Sequence, residues 1–122
     1  MQIYDSGASR GKRIEEFGSH GVSMSTLMNA RAWHVAMVEL EPSGVLGAHK
    51  LITDQLLIVI QGSGRVSGGG GRLVDVAPGS AVFWNRGEVH ETHAGAEGLV
   101  GIVIEGDRLE RTLTMPIRKV TG

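Results

Sequence analysis

A chain of 122 residues with 41% apolar and 20% charged side chains suits one domain built around one core. Its net charge is −1 and its twelve basic residues are scattered, so it offers no basic stripe for nucleic acid. The absence of cysteine excludes disulfides, thiolate metal sites and cysteine nucleophiles.

Residues 1–20 are polar and glycine-punctuated and are expected to form an N-terminal arm, with Ile14 and Phe17 in a short docked turn. The start, MQIYDSGASRGKR, has no apolar signal core, so the cytoplasm is the expected compartment. Residues 21–122 are expected to be the single folded domain, in short β segments from Val22 onward. Residues 33–40, WHVAMVEL, are strand formers that stop at the turn signal EPSG. Within them His34 shares a face with Ala36, Val38 and Leu40, and that face is expected to be the interior. Residues 56–60 are a continuous apolar run bounded by QGSG, read as a buried strand and far too short to span a membrane.

Nineteen glycines are about twice the usual share, and apart from the run at 68–71 they stand singly or in pairs, as tight turns require. Residues 65–67 and 72–76 flank that run as a hairpin. A strand pattern rather than a helix follows the glycines, which argues against a phosphate-binding loop. APG at 77–79 is a turn; 81–84 is a strand whose Phe83 and Trp84 face opposite ways; 85–87 turns into a strand at 89–93, and 99–105 is another. Residues 108–120 are a terminal strand or tail. No stretch offers a long, capped amphipathic helix, and short strands at close, turn-marked spacing predict a sandwich or barrel.

Two sets of spaced positions then stand out: His49, Leu51, Gln55 and Gly62, and Gly79, Asn85, Gly87, His90 and Ala94. By their spacing the chain resembles a small bacterial cupin. The first motif of that family is Gly, a spacer, His-x-His, three or four residues, Glu, six residues, Gly, and it falls at 42–62. The second is Gly, five residues, Pro-x-Gly, two residues, His, three residues, Asn, and it falls at 79–94. The resemblance implies an all-β cupin jelly roll, a double-stranded β-helix barrel. In the family two histidines and the glutamate of the first motif, with the histidine of the second, hold a divalent metal. This chain keeps His49 and His90, carries Gln55 for the glutamate, and has Leu51, which cannot be a ligand, for the other histidine. Asn85 and Ala94 replace the second motif's proline and asparagine. The implied metal set is therefore His49, Gln55 and His90. Without a carboxylate it would hold one divalent transition metal (Zn, Ni, Mn, Fe or Cu) weakly or not at all.

Strand alternation puts His49 and Leu51 on one face, aligns Gln55, Leu57 and Val59, and separates His90 and Thr92 from Glu91 and His93. With the three polar candidates inward, His34, Leu51, Leu57 and Thr92 are expected to line an apolar pocket with a polar end. Glu88, beside His90 at the expected barrel mouth, is the candidate acid or base. His93 is read as a surface histidine, because HETH lacks the helical spacing of a zincin, and Asp54 faces away from Gln55.

The leading expectation is a small-molecule-binding cupin with an altered divalent metal site. As an enzyme, the resemblance implies one of the metal-dependent dioxygenase or isomerase class, on a small anionic or carbonyl substrate. The alternatives are a metal-free ligand sensor or binding module, its histidines donating hydrogen bonds to a sugar or acid, and a vestigial scaffold. An outward ring at 83–84 suits a homodimer, common among cupins, and neither nucleic acid nor membrane is expected as a partner.

Overall fold

The structure, a computed structural model, describes residues 1–7, 11–68, 71–110 and 115–118. The expected terminal strand or tail at 108–120 lies partly outside the described residues, as do Gly69 and Gly70. The elements are β1 (Lys12–Ile14), one 3-10 turn (Glu16–Gly18), β2 (His20–Asn29), β3 (Trp33–Lys50), β4 (Asp54–Ser67), β5 (Val74–Val76), β6 (Ala81–Trp84) and β7 (Val89–Gly106). No helix among the described residues is long and apolar enough to cross a membrane.

All pairings are antiparallel, in the order β1-β2-β3-β7-β4-β5, with β6 also on β4. The architecture follows from three long strands that each bend once. β7 pairs through residues 99–106 with the first half of β3 and through 89–93 with its second half. β4 flanks β7 on the other side in the same two blocks. One layer thus carries β2 and β6 at its margins and the other carries β5, which is a jelly-roll barrel.

Strand patterning accounts for the layers. Val38, Leu40, Leu57, Val59, Leu99 and Val103 alternate with outward residues and are all buried in one core cluster. The turn signals at 41–44 and 61–64 do not end strands as the sequence suggests; they are corners within β3 and β4. Likewise the expected strands at 89–93 and 99–105 are the two arms of β7. Register shifts fall at these corners, between Leu40 and Val45 and between Gly62 and Gly64. Gly62 and Gly98 sit there with φ of +79° and +78°. A Cβ on Gly62 would overlap the Gly98 carbonyl oxygen, and one on Gly98 would lie 2.7 Å from the Leu40 carbonyl oxygen. The three strands turn together only because their backbones touch.

Part of the expected arm belongs to the barrel. β1 pairs with β2, and the 3-10 turn packs on β3 through Ser19, whose hydroxyl accepts a hydrogen bond from the Gly47 N–H at 2.9 Å. Gly47 has no side chain to keep the turn away: a Cβ there would overlap the Phe17 carbonyl oxygen.

Candidate ligand-binding site

Between the layers lies a cavity of about 200 Å³. Leu40, Leu57, Leu99 and Val103 give it apolar walls, and His49, His90, Gln55, Thr92 and Glu105 supply its polar groups. Ile14, Glu16 and Phe17 of the N-terminal segment close over it. Phe17, at φ +61°, lays its ring flat on His49, with centroids 4.2 Å apart and planes 12° from parallel.

The two histidines are brought together by register. His49 on β3 is directly opposite His90 on β7, and their Nε2 atoms are 3.0 Å apart. Hydrogen bonding decides the tautomers. His49 Nδ1 is 2.8 Å from the Gly47 carbonyl oxygen, which only accepts, so Nδ1 carries the proton and a neutral His49 presents a lone pair at Nε2. His90 must then donate from Nε2, which leaves its Nδ1 unprotonated. That atom, in a side chain only 1% exposed, is the buried side-chain polar atom without a partner among the described residues. The Trp84 ring packs at a steep angle to His90, pinned by its indole N–H donating to the Ser67 carbonyl. Burial, and secondarily the neighbouring His49, lowers the His90 pKa from 6.5 to about 4, so His90 is neutral near pH 7.

A divalent ion can be tested against this arrangement. A 3.0 Å separation suits two imidazoles at right angles on one ion, since ligand bonds of about 2.0–2.1 Å place them about 3 Å apart. The remaining chemistry does not fit. As a ligand through Nε2, His90 would bury an Nδ1–H with no acceptor, where ligating histidines ordinarily donate to a carbonyl or carboxylate. Gln55 is turned to Glu105, donating its amide N–H to Oε1 at 2.7 Å. No group of three or more histidine, aspartate or glutamate side chains that could hold a metal occurs among the described residues. His49, Gln55 and His90 share one cavity, as the motif spacing predicts, but they do not make a fitting donor set for a resident metal.

Glu105 is the residue that the sequence analysis missed. It lies opposite His34 on β3 and opposite Gln55 on β4, so the three side chains form one row across three strands. Its Oε1 accepts from Gln55, and its Oε2 lies 3.3 Å from His34 Nε2. Read from the chain alone it is a charge at the end of a strand. A signal was nevertheless available: Glu105 falls on the same alternation as Leu99, Gly101 and Val103.

Of the other expected pocket residues, Leu57 and Thr92 line the cavity, whereas His34 and Leu51 do not. Leu51 lies beyond the end of β3, buried and bonded through its backbone to Gly87 and Glu88. Glu88 is not at the cavity either. Its Oε1 accepts from the Asn85 backbone N–H at 2.8 Å and closes the 85–88 turn, a structural use of the carboxylate. Glu91 and His93 are bonded to each other at 2.9 Å on the face of β7 opposite His90, and the His93 contact holds the Glu91 carboxyl below its usual range. Asp54 accepts from the Arg86 and Leu109 backbone N–H groups.

A hydrogen-bonded histidine pair and a half-buried carboxylate stand at the polar end of an apolar cavity. An apolar cavity with a few polar groups has the usual form of a small-molecule site. Comparison with known proteins agrees with the fold. A cupin-like protein from Thermotoga maritima MSB8 superposes with a TM-score of 0.73 at 24% identity, covering 88% of this chain and 83% of that one. The polyketide cyclase RemF from Streptomyces resistomycificus gives 0.72 at 22% identity, covering 86% and 80%. A predicted oxalate decarboxylase from Thermotoga maritima gives 0.71 at 23%, covering 84% and 98%. At such identities the likeness is one of fold. No curated protein matches the chain. The family model described as the cupin domain matches residues 36–105, more than half of the chain, and the protein belongs to the cupin family.

Proposed function

We propose that the protein is a small-molecule-binding cupin that works without a resident metal. The observation that supports this best is the His49–His90 pair. Its tautomers follow from the Gly47 carbonyl, and His90 Nδ1 has no partner, whereas a histidine ligating a metal through Nε2 would need an acceptor for its Nδ1–H. A fragment screen by thermal shift tests the binding. A fragment at about 100 times its Kd adds about 2.7 kcal/mol of stability. Amide shifts on binding are expected at Leu57, Thr92 and Glu105 and not at the outward-facing Ile58 and Ile102. A screen without binders, or shifts confined to the outer face, would count against the proposal. The second reading is the weakly held divalent ion on His49, Gln55 and His90, favoured by the 3.0 Å nitrogen separation. Stoichiometric metal in the untagged protein, lost in His49→Ala, would replace the first reading with this one.

In this proposal the macromolecular partner is a second copy of the chain. Two cross-strand rows on the outer face of the larger layer hold no charged side chain: Met28, Val35, Ile104, Leu56 and Phe83, and beside them Ser25, Met37, Ile102, Ile58 and Ala81. Met28 is 61% exposed and Ile60, on the same sheet, 45%. An uncharged face meets its own symmetry copy without like-charge repulsion. Sedimentation is expected to give a dimer for the native chain and a monomer for Ile102→Glu. A monomeric native chain at high concentration would rule the dimer out.

A further inference from the structure

The cavity's polar groups also point to the kind of molecule it takes. Among the described residues the charged side chains that line it are Glu16 and Glu105; no lysine or arginine does. Glu105 uses two contacts, to Gln55 and His34, and a carboxylate has about four acceptor positions, so it can receive more. His49 Nε2 already accepts from His90, and the unpartnered His90 Nδ1 is fully buried, so the carboxylates are the acceptors open to a ligand. The remaining wall is aliphatic. An anion placed here would meet two carboxylates, and no lysine or arginine among the described residues lines the cavity to offset its charge. A cation with N–H groups would meet those two carboxylates.

We propose that the cavity takes a small apolar amine in its protonated form, seated with its ammonium group on the Glu105 carboxylate and its apolar body against Leu40, Leu57, Leu99 and Val103. This rests on the small-molecule reading above and narrows it. It departs from the small anionic substrate and the acid ligand expected from the sequence. Gln55 and His34 act as positioning residues: the Gln55 amide donates to Glu105 Oε1 at 2.7 Å, and His34 Nε2 lies 3.3 Å from Oε2. Glu16, at the roof beside Phe17, adds the second negative charge at the entrance.

The test uses the full chain and three ligands of one shape: benzylamine, benzyl alcohol and benzoate, each titrated by calorimetry near neutral pH. Benzylamine is expected to bind about tenfold or more tightly than benzoate, with benzyl alcohol between them, because a hydrogen bond to a charged group outweighs a neutral one. Glu105→Gln should reduce the amine-to-benzoate ratio by about fivefold or more. Glu16→Gln, at an exposed position that leaves the fold intact, should reduce it by about twofold. Benzoate binding as tightly as benzylamine, or a ratio unchanged in both variants, overturns the proposal. If other fragments bind but none of these three does, the amine proposal falls and small-molecule binding stands. If nothing binds, both fall.

Discussion

Replacing Gly62 with alanine is expected to destabilise the barrel by more than about 3 kcal/mol, while Gly87→Ala costs about 1–2 kcal/mol. Both glycines have positive φ, +79° and +90°, so both substitutions place an L side chain in the left-handed region. Their surroundings differ. A Cβ on Gly87 meets nothing within 4 Å, whereas one on Gly62 overlaps the Gly98 carbonyl oxygen at the corner where β4 and β7 turn together. Relief would require moving β7 away from β4, which would disturb the pairings on both sides of the corner. Urea unfolding of the two variants measures the difference directly. Equal midpoints would show that the corner is more pliant than its backbone contacts imply.

The second large effect is one of pH. His90 has a folded pKa of about 4 against 6.5 in the unfolded chain. Between those values the unfolded chain takes up a proton that the folded chain refuses, so stability rises with pH across this window. The contribution is complete above 6.5 and is lost as the pH falls towards 4, by about 3 kcal/mol. Carboxylates also titrate near the bottom of this range, so the informative quantity is the native chain minus His90→Leu. Leucine has similar bulk and removes an unpaired buried nitrogen, but it also removes the hydrogen bond to His49, so near pH 7 it should be less stable than the native chain by about 1–2 kcal/mol. From pH 7 to pH 4 the difference should move in favour of the variant by about 3 kcal/mol. Parallel curves for the two proteins would remove His90 as the source.

Much of this site was legible in the chain because alternation is a local property. His34 with Ala36, Val38 and Leu40, the run Gln55, Leu57 and Val59, and the opposition of His90 and Thr92 to Glu91 and His93 all appear as read. The two histidines meet as the motif spacing predicts. What escaped depends on strand register between distant segments. Glu105 becomes a cavity residue only because β7 places it between His34 and Gln55. The Pro-Ser-Gly and Gly-Ser-Gly segments read as strand ends because glycine, serine and proline serve turns and bends alike. Only continued pairing on both sides of the corner distinguishes them. Glu88 looked like a cavity acid because it neighbours His90, but its carboxylate closes its own turn instead.

The place of β7 in the chain bears on how the protein is made. His90, Thr92, Leu99, Val103 and Glu105 all belong to this strand, the last among the described residues, and it joins β3 to β4. A nascent chain that has left the ribosome only as far as β6 therefore has two long strands with open edges facing a gap, and no binding cavity. The pairing that joins β3 to β4 arrives at once, with β7. Such an order favours slow, all-or-none closure, and it exposes apolar edges for as long as synthesis of β7 takes. The interval before β7 becomes available is thus the time at which holding chaperones have most to do.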